Sequence, residues 1–460
     1  MITPIAPEIF KAYDIRGIVD RTLTEEAAEA VGRALGTLGK RKGVQRFVVG
    51  RDGRLSGPRL AAALARGLNA AGMDVVDIGV VATPMVYFAT HHFDTGSGVM
   101  VTGSHNPPEY NGLKMMVAGD TLAAEAIQDL RCLVDSGDFA AGRGKLERED
   151  IREAYLARIT SDVRLARALT IAIDCGNGSP GSVAPELFRR LGCKVIELYC
   201  DVDGNFPNHH PDPSKPENLQ DLIEKLRSSD AELGLAFDGD GDRLGVVTKS
   251  GRIVYPDRQL MLFAADVLAR NPGAQIIFDV KCTRNLFPWI RGHGGRPLLW
   301  KTGHSLIKAK LKETGAPLAG EMSGHVFFKD RWYGFDDGLY AGARLLELVS
   351  READASKLLE ALPDSISTPE LNVALDREGD NHRLIAELQK SARFQGATDV
   401  NTIDGLRVEY PDGFGLMRAS NTTPVIVLRF EADSKAALER IRGEFRRVLE
   451  KARPGLAFPA

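Results

Sequence analysis

Short apolar runs alternate with helix-type patterns along the chain, and the same order occurs three times. In each case an apolar run predicts a strand, apolar residues at helical spacing predict a helix, and a second apolar run follows. This order is typical of parallel strands joined by a right-handed crossover. The predicted strand, helix and strand are 45–50, 59–71 and 74–78 in the first unit, 170–174, 183–191 and 194–198 in the second, and 275–279, 285–291 and 297–300 in the third.

Each unit is followed by one more apolar strand that ends in an unusual polar loop. The three loops are 102–107, 238–243 and 321–325. Because open α/β sheets bind ligands at the carboxyl ends of their strands, we expect three α/β domains that present these loops to a shared cleft.

The last part of the chain has a different pattern. A turn-rich segment, 363–369, is predicted to link it to the rest. Beyond it lie strand-like runs at 370–374, 405–410, 415–418 and 425–430, with helical patterns at 381–392 and 434–450. These elements predict a small C-terminal α+β domain. We place the domains at 1–150, 151–252, 253–365 and 366–460.

Composition narrows the class of protein. The 460 residues are 43% hydrophobic and 26% charged, with a formal net charge of -3, which gives no electrostatic case for a nucleic acid or membrane partner. No apolar run approaches the ~20 residues of a membrane span, and the N-terminus lacks the pattern of a secretory signal. Five scattered cysteines fit a reducing compartment. We therefore expect a cytoplasmic protein, and we expect a monomer.

The loop at the end of the additional strand that follows the first unit holds the first candidate for chemistry. It reads Thr102-Gly-Ser-His-Asn-Pro107. Gly103 permits a sharp bend, and Pro107 biases the residue before it toward an extended shape, so we expect a rigid loop with Ser104 at its apex and His105 beside it. On its own, such a string is as compatible with an ordinary polar turn.

The second loop predicts a metal site. Asp238, Asp240 and Asp242 alternate with glycines just past an apolar strand, and carboxylates at this density repel unless a cation lies between them. An EF-hand would need Gly and Glu where Arg243 and Lys249 stand. Hard oxygen ligands with open positions are typical of Mg²⁺. The alternative is an acidic, solvated turn.

A third group of polar residues lies in the C-terminal domain, at Arg418-Ala-Ser-Asn-Thr-Thr-Pro424. It combines a guanidinium with short hydrogen-bonding side chains and contains no acid, which suits a phosphate dianion. A Ser/Thr-rich turn without a ligand explains the same residues.

One competing motif favours a different enzyme. Residues 176–181 match G-x-G-x-x-G between a predicted strand and helix, and Glu197 lies near the distance expected for a ribose-binding acid. An NAD-dependent dehydrogenase therefore stays open as an alternative. Against it, Pro180 lies inside the motif, and the other three polar loops are left without a role.

Taken together and in this order, four motifs resemble those of the α-D-phosphohexomutase family, and most of all its bacterial phosphomannomutase/phosphoglucomutase members. They are Thr102-Gly-Ser-His-Asn-Pro107, Asp238-Gly-Asp-Gly-Asp-Arg243, Gly320-Glu-Met-Ser-Gly-His325 and Arg418-Ala-Ser-Asn-Thr-Thr423. The resemblance covers the whole chain. It implies three topologically similar α/β domains with mixed sheets and a smaller C-terminal α+β domain around a central cleft.

The resemblance also implies roles for individual residues. Ser104 is the residue that carries the phosphoryl group, Glu321 and Ser323 bind sugar hydroxyls, and the Arg418 group holds the non-reacting phosphate. The implied catalytic residues are Ser104, His105, Lys114, Arg243, His304 and His325. The implied metal ligands are Ser104, Asp238, Asp240 and Asp242. The implied substrate-binding residues are Tyr13, Arg16, Lys281, His304, Glu321, Ser323, His325, Arg418, Ser420, Asn421 and Thr422.

The implied reaction is reversible phosphoryl transfer between C1 and C6 of mannose and glucose phosphates. It runs through a phosphoserine and a 1,6-bisphosphate, with Mg²⁺ as cofactor, glucose 1,6-bisphosphate as activator and hexose phosphates as the only partners. Which histidine acts as general base stays open. A non-catalytic protein that binds sugar phosphates is a second alternative, beside the dehydrogenase.

Overall fold

The computed structural model describes residues 5–377, 379–421 and 423–459. The elements of the first region are β1 Ile15–Ile18, α1 Glu25–Arg41, β2 Arg46–Arg51, α2 Gly57–Ala70, β3 Asp74–Val80, α3 Thr83–His92, β4 Gly98–Val101, β5 Tyr110–Val117, β6 Asp120–Thr121, α4 Glu125–Ser136 and β7 Leu146–Arg148. Strands β2 and β3 pair in parallel, as predicted. Strands β4 and β7 add further parallel pairs, and the antiparallel pairs of β5 with β4 and with β1 complete the order β1-β5-β4-β2-β3-β7.

The second region repeats this plan around a sheet of order β12-β11-β10-β8-β9. Its elements are α5 Arg152–Asp162, β8 Thr170–Asp174, α6 Ala184–Arg190, β9 Lys194–Leu198, α7 Gln220–Ser228, β10 Leu233–Phe237, β11 Leu244–Thr248 and β12 Ile253–Val254. Strands β10 and β11 are antiparallel neighbours, so the acidic loop 238–243 is the hairpin connection between them.

The third region has the strand order β14-β13-β15-β16, again with one antiparallel strand at the edge. Its elements are α8 Pro256–Arg270, β13 Gln275–Asp279, α9 Leu286–Gly292, β14 Arg296–Trp300, α10 His304–Thr314, β15 Leu318–Gly320, β16 Val326–Phe328, α11 Gly338–Val349 and α12 Ala355–Glu360. The loop 321–325 joins β15 to β16, as the acidic loop joins β10 to β11.

The C-terminal region is an antiparallel sheet with two long helices. Its elements are β17 Ile366–Ser367, β18 Leu371–Ala374, α13 Asp380–Ser391, β19 Asp399–Asn401, β20 Leu406–Tyr410, β21 Gly413–Ala419, β22 Val425–Ala432 and α14 Lys435–Ala452. The prediction that 363–369 is only a link is wrong at Ile366–Ser367, because this pair of residues completes the ladder on β22.

Side-chain caps explain where several helices begin. Thr24 accepts a hydrogen bond from the Ala27 amide at the start of α1, and Ser434 accepts one from the Ala437 amide at the start of α14. Each cap satisfies an amide that the helix itself leaves without a partner. The helix predicted at 434–450 matches α14 within two residues at each end, whereas α1 was not predicted.

The apolar cores show how the regions are joined. One continuous core runs through all three α/β regions, from Val48 and Phe88 to Phe188 and Phe328. The C-terminal sheet packs on its own core, which includes Phe430 and Phe445. The predicted fold class of three α/β domains and an α+β domain is confirmed, while the boundaries 1–150, 151–252, 253–365 and 366–460 stay predictions. Among the described helices, none has the length and apolar character that a membrane crossing requires.

Candidate active site

The loops that follow β4, β10 and β15 meet the C-terminal region at one cavity of about 790 Å³. Its size falls within the range typical of small-molecule sites. Side chains from all four regions line it. The residues with roles implied by the sequence that line this cavity are Tyr13, Arg16, Ser104, His105, Lys114, Arg243, Lys281, His304, Glu321, Ser323, His325, Arg418, Ser420 and Asn421.

Hydrogen bonds from the Arg54 side chain fix the position of the Ser104 loop. This guanidinium is fully buried and donates hydrogen bonds to the carbonyl oxygens of Ser104 (2.8 Å), Asn106 (2.6 Å), Pro107 (2.6 Å) and Tyr110 (3.0 Å). Four backbone carbonyls on one rigid fork fix the path of the loop. The backbone of Ser104 is left-handed, with φ 50°, a conformation that a non-glycine residue keeps only when its surroundings impose it.

A buried carboxylate fixes the start of the same loop. Asp52 accepts hydrogen bonds from Thr102 Oγ1 (2.7 Å), the Gly103 amide (3.2 Å) and Arg54 Nε (3.1 Å). Thr102 Oγ1 in turn accepts from the Ser104 amide at 2.7 Å. The sequence showed residues 51–54 only as a polar turn after a strand, so the part that Asp52 and Arg54 play was missed.

The hydroxyl of Ser104 has two functional neighbours. Its Oγ lies 3.1 Å from His105 Nδ1 and 3.1 Å from Asp238 Oδ2, which joins the serine loop to the acidic loop. Burial, followed by repulsion from Arg243 and Arg16, lowers the pKa of His105 well below its usual value. His105 is therefore neutral near pH 7.

The three acidic residues of the second loop converge as their spacing predicted. Asp238, Asp240 and Asp242 are buried, and each offers a carboxylate oxygen within 4.8 Å of the others. Two of these oxygens, Asp240 Oδ1 and Asp242 Oδ1, have no hydrogen-bond partner among the described residues. Buried, partnerless carboxylate oxygens in such a cluster are suitable ligands for a hard cation.

Lys114 already lies among these carboxylates. Its ammonium is 2.7 Å from Asp240 Oδ2 and also contacts Asp242 Oδ2. Burial acts to raise the pKa of Asp240, but the charge of Lys114 and the hydrogen bonds from Lys114 and Thr83 act together to hold that pKa below its usual value. The pKa of Asp238, in contrast, is raised by burial and by the charges of Asp242 and Asp240. One lysine therefore does not neutralise the cluster, and a further cation would.

The third loop brings the cleft histidines close to a buried carboxylate. His325 Nδ1 lies 3.1 Å and His304 Nδ1 3.8 Å from Asp336 Oδ2. On its other edge, His325 Nε2 accepts a hydrogen bond from Arg243 Nε at 3.1 Å. Glu321 Oε1 accepts from the Gly303 amide at 2.6 Å, and burial raises the pKa of Glu321. No sequence pattern pointed to Asp336.

The Arg418 group forms the wall opposite the serine loop. Arg418 is buried, its Nε donates to Asp404 Oδ2 at 3.0 Å, and its Nη2 has no partner among the described residues. Asn421 Nδ2 contacts the hydroxyl of Tyr13, which closes the cavity between the first and last regions. Thr422, the remaining implied phosphate ligand, lies outside the described residues.

Nearby, Lys281 forms an ion pair with Glu370 at 3.0 Å across the junction of the third and C-terminal regions. Arg16, on β1, donates to Asn106 Oδ1 at 3.1 Å and to the Gly103 carbonyl at 3.3 Å. Both cations line the cavity, together with Arg243 and Arg418.

The glycine motif at 176–181 cannot act as a dinucleotide site. Its amides are used within the protein: Gly178 donates to the Cys175 carbonyl at 2.7 Å and Ser179 donates to the Gly239 carbonyl at 3.0 Å. A dinucleotide fold needs such amides for the pyrophosphate. Glu197 is paired with Arg189 instead of facing a ribose. The dehydrogenase alternative is therefore wrong, and this segment supports the acidic loop.

Comparison with known proteins gives matches over the whole chain. The chain is 61% identical to a phosphoglucomutase of Neisseria gonorrhoeae over 457 residues, which cover 99% of both chains. It is 57% identical to a phosphomannomutase/phosphoglucomutase of Pseudomonas aeruginosa, covering 98% of this chain and 97% of the relative.

A crystal structure of a phosphoglucomutase/phosphomannomutase family protein from Burkholderia thailandensis superposes with a TM-score of 0.95 at 59% identity. The superposition covers 99% of this chain and 100% of that one.

Family models agree with these single comparisons. They describe the phosphoglucomutase/phosphomannomutase alpha/beta/alpha domains I, II and III and the C-terminal domain, and match residues 7–141, 153–251, 255–366 and 370–448. The family predicted from the four motifs is thereby confirmed: the chain belongs to the phosphoglucomutase/phosphomannomutase family of enzymes.

Proposed function

We propose that this enzyme moves a phosphoryl group between O1 and O6 of glucose and mannose phosphates, by way of a phosphorylated Ser104 and a bound hexose 1,6-bisphosphate. The observation that carries the proposal is the position of Ser104 Oγ, 3.1 Å from both His105 Nδ1 and Asp238 Oδ2. The names of the relatives, phosphoglucomutase and phosphomannomutase, support the substrate class.

In the first transfer, the O6 hydroxyl of a hexose 1-phosphate attacks the phosphorus on Ser104. A new P–O6 bond forms as the P–Oγ bond breaks, and a neutral histidine of the cleft takes the proton from the O6 hydroxyl and returns it to the departing Ser104 Oγ. Phosphoryl transfer depends on positioning and on neutralising charge. Arg16, Lys114 and Arg243 supply positive charge where the phosphoryl oxygens would lie.

In the second transfer, Ser104 Oγ takes the phosphoryl group from O1 of the bound bisphosphate. The P–O1 bond breaks as the P–Oγ bond forms, and the histidine passes the proton of the Ser104 hydroxyl to O1. The bisphosphate must turn around between the two transfers, so one phosphate pocket has to accept either end of the sugar. We propose that the Arg418 group is this pocket, and that the boundary between the third and C-terminal regions lets it adjust.

We propose Asp238, Asp240, Asp242 and an oxygen on Ser104 as the ligands that would hold Mg²⁺. The partnerless carboxylate oxygens at Asp240 and Asp242 fit this assignment. When bound, the ion would offset the negative charge of the phosphoserine, which is about −1.5 to −2. We also propose glucose 1,6-bisphosphate as the activator that phosphorylates Ser104.

The experiment that tests the proposal is intact mass spectrometry before and after incubation with glucose 1,6-bisphosphate, with the adduct mapped by peptide. We expect a single phosphoryl adduct on Ser104 and its loss on addition of excess glucose 1-phosphate. A protein that binds sugar phosphates without catalysis would show neither change.

Arg418→Ala is expected to raise KM for glucose 1-phosphate more than it lowers kcat. Removing one charge-assisted hydrogen bond costs about 1.5–3 kcal/mol, or roughly 10- to 150-fold in affinity. Steady-state kinetics measures the split between the two constants. Arg440→Ala, which removes an arginine paired with Asp412 on the exposed face of the same region, is the control and should leave KM as it is. An unchanged KM in Arg418→Ala would contradict the distal-phosphate role.

Glucose 1-phosphate and mannose 1-phosphate are expected to have kcat/KM values within about two orders of magnitude of each other. The two sugars differ only at C2, and we propose that Glu321 and Ser323 bind the 3- and 4-hydroxyls that both share. A site without a group for the C2 hydroxyl leaves no buried polar atom unpaired when that hydroxyl inverts. Steady-state kinetics on both sugars is the measurement. A several-thousand-fold difference in kcat/KM would show that another residue contacts the C2 hydroxyl and distinguishes its two configurations.

A further inference from the structure

The peptide of Thr302 lies between β14 and α10, where three of the four regions of the chain meet. Its amide donates a hydrogen bond to Asp404 Oδ2 at 2.9 Å, and its carbonyl accepts one from the Tyr13 hydroxyl at 2.6 Å. Its side-chain Oγ1 donates to Asp279 Oδ2 at 2.7 Å. Thr302 therefore joins the first and C-terminal regions to the third through one residue.

Asp404 makes the link to the C-terminal region, and its Oδ2, which accepts from the Thr302 amide, also accepts from a second donor. Arg418 Nε donates to Asp404 Oδ2 at 3.0 Å, and the side chains of Asp404 and Arg418 are 15% and 5% exposed. A buried carboxylate between an arginine and an amide fixes both donors. With Nε held in this way, the guanidinium presents its terminal nitrogens, and Nη2 has no partner within the described part of the chain.

On the side of the third region, residues 302 and 303 are bonded to the loop that carries Glu321. Asp279 Oδ1 accepts from the Met322 amide at 3.1 Å, and Glu321 Oε1 accepts from the Gly303 amide at 2.6 Å. Gly303 has a φ of 135°, and a Cβ at this position would lie 2.5 Å from the Tyr13 ring. The segment is therefore closely packed and has little freedom to shift alone.

From these contacts we infer that Asp404 is a positioning residue. It orients the guanidinium of Arg418 toward the phosphate that does not react. Through its hydrogen bond with the Thr302 amide, it also connects Arg418 to the sugar-binding loop. Asp404 is not among the residues that line the cavity, so it acts through its two donors. The inference rests on the proposed function, because it takes Arg418 to be the ligand of the distal phosphate of a hexose phosphate.

The test compares Asp404→Ala, Asp404→Asn and Arg418→Ala, and combines the two alanine substitutions in a fourth variant. We expect Asp404→Ala to raise KM for glucose 1-phosphate and the inhibition constant of inorganic phosphate about 5- to 20-fold. Asp404→Asn keeps a neutral acceptor for both donors and should give an intermediate increase. Because Asp404 acts through Arg418, KM of the double variant should lie within about twofold of that of Arg418→Ala.

Asp412→Ala is the matched control, since it removes an exposed carboxylate that pairs with Arg440 in the same region. It should leave KM and the phosphate inhibition constant unchanged. Thermal unfolding of each variant separates misfolding from mispositioning, and Asp404→Asn keeps the test open if Asp404→Ala does not fold.

The possible outcomes distinguish the inference from the proposed function. An unchanged KM in the Asp404 variants beside a raised KM in Arg418→Ala would overturn the inference alone. The inference would also be overturned if the increase in KM of the double variant equalled the product of the increases in the two single variants. An unchanged KM in Arg418→Ala would contradict the proposed phosphate pocket as well.

Discussion

Ser104→Ala is expected to lower mutase turnover by at least about 10⁴-fold, because removing the nucleophile of a two-step transfer leaves no covalent route. The hydroxyl is the group of Ser104 that touches His105 and Asp238. The loop itself is fixed by Arg54 and Asp52 through backbone atoms, which the substitution leaves in place. The fold should therefore persist while the reaction stops.

Two measurements check this result together. Coupled assays follow turnover of glucose 1-phosphate, and intact mass after incubation with glucose 1,6-bisphosphate follows the phosphoryl adduct. Ser136→Ala, in an exposed position at the end of α4, is the control and should keep both turnover and adduct. Near-normal turnover in Ser104→Ala would show that the phosphoryl group does not pass through this serine.

The strand and helix pattern alone was enough to locate the candidate loops. Strands β8 and β13 match the predicted spans, because each has a short apolar centre between polar end residues. The prediction that Ser104 and the acidic loop face one cleft followed from the rule that ligands bind at the carboxyl ends of strands. Local patterning therefore fixes which loops carry the chemistry.

The antiparallel strands β1 and β16 were not predicted from the pattern. Ile15–Ile18 pairs with β5 across about ninety residues of sequence, and Val326–Phe328 is only three residues long. A short strand is defined by its partner more than by its own residues, so periodicity does not reveal it. Only the resemblance to a family predicted mixed sheets.

The residues that support the site were also invisible in the sequence. Arg54 contacts carbonyls some fifty positions away, and Thr302 contacts Asp404 about a hundred positions away. Each is an ordinary charged or polar residue with no motif around it. Their importance arises from burial and from partners that only the folded chain brings together.

Asp240→Asn is expected to weaken Mg²⁺ binding and to lower turnover at a fixed Mg²⁺ concentration by about 100-fold or more, because a metal ion in such a site supplies several kcal/mol of charge stabilisation. The substitution removes one of three negative charges and leaves the remaining oxygen able to accept from Thr83 Oγ1. Lys114 keeps its contact with Asp242, so the buried ammonium still has a negatively charged partner and the fold should persist.

Mn²⁺ binding without substrate, measured by electron paramagnetic resonance, reports the site independently of activity, and turnover is measured across a range of Mg²⁺ concentrations. Asp230→Asn is the control, because Asp230 forms an exposed ion pair with Lys194 and such pairs contribute little. In Asp240→Asn the Mn²⁺ dissociation constant and the Mg²⁺ concentration at half-maximal rate should rise together, since both depend on the same carboxylates. Excess chelator should stop the unmodified enzyme, and full activity in chelator would show that the charge of the phosphoserine is neutralised by Lys114 and the cleft arginines alone.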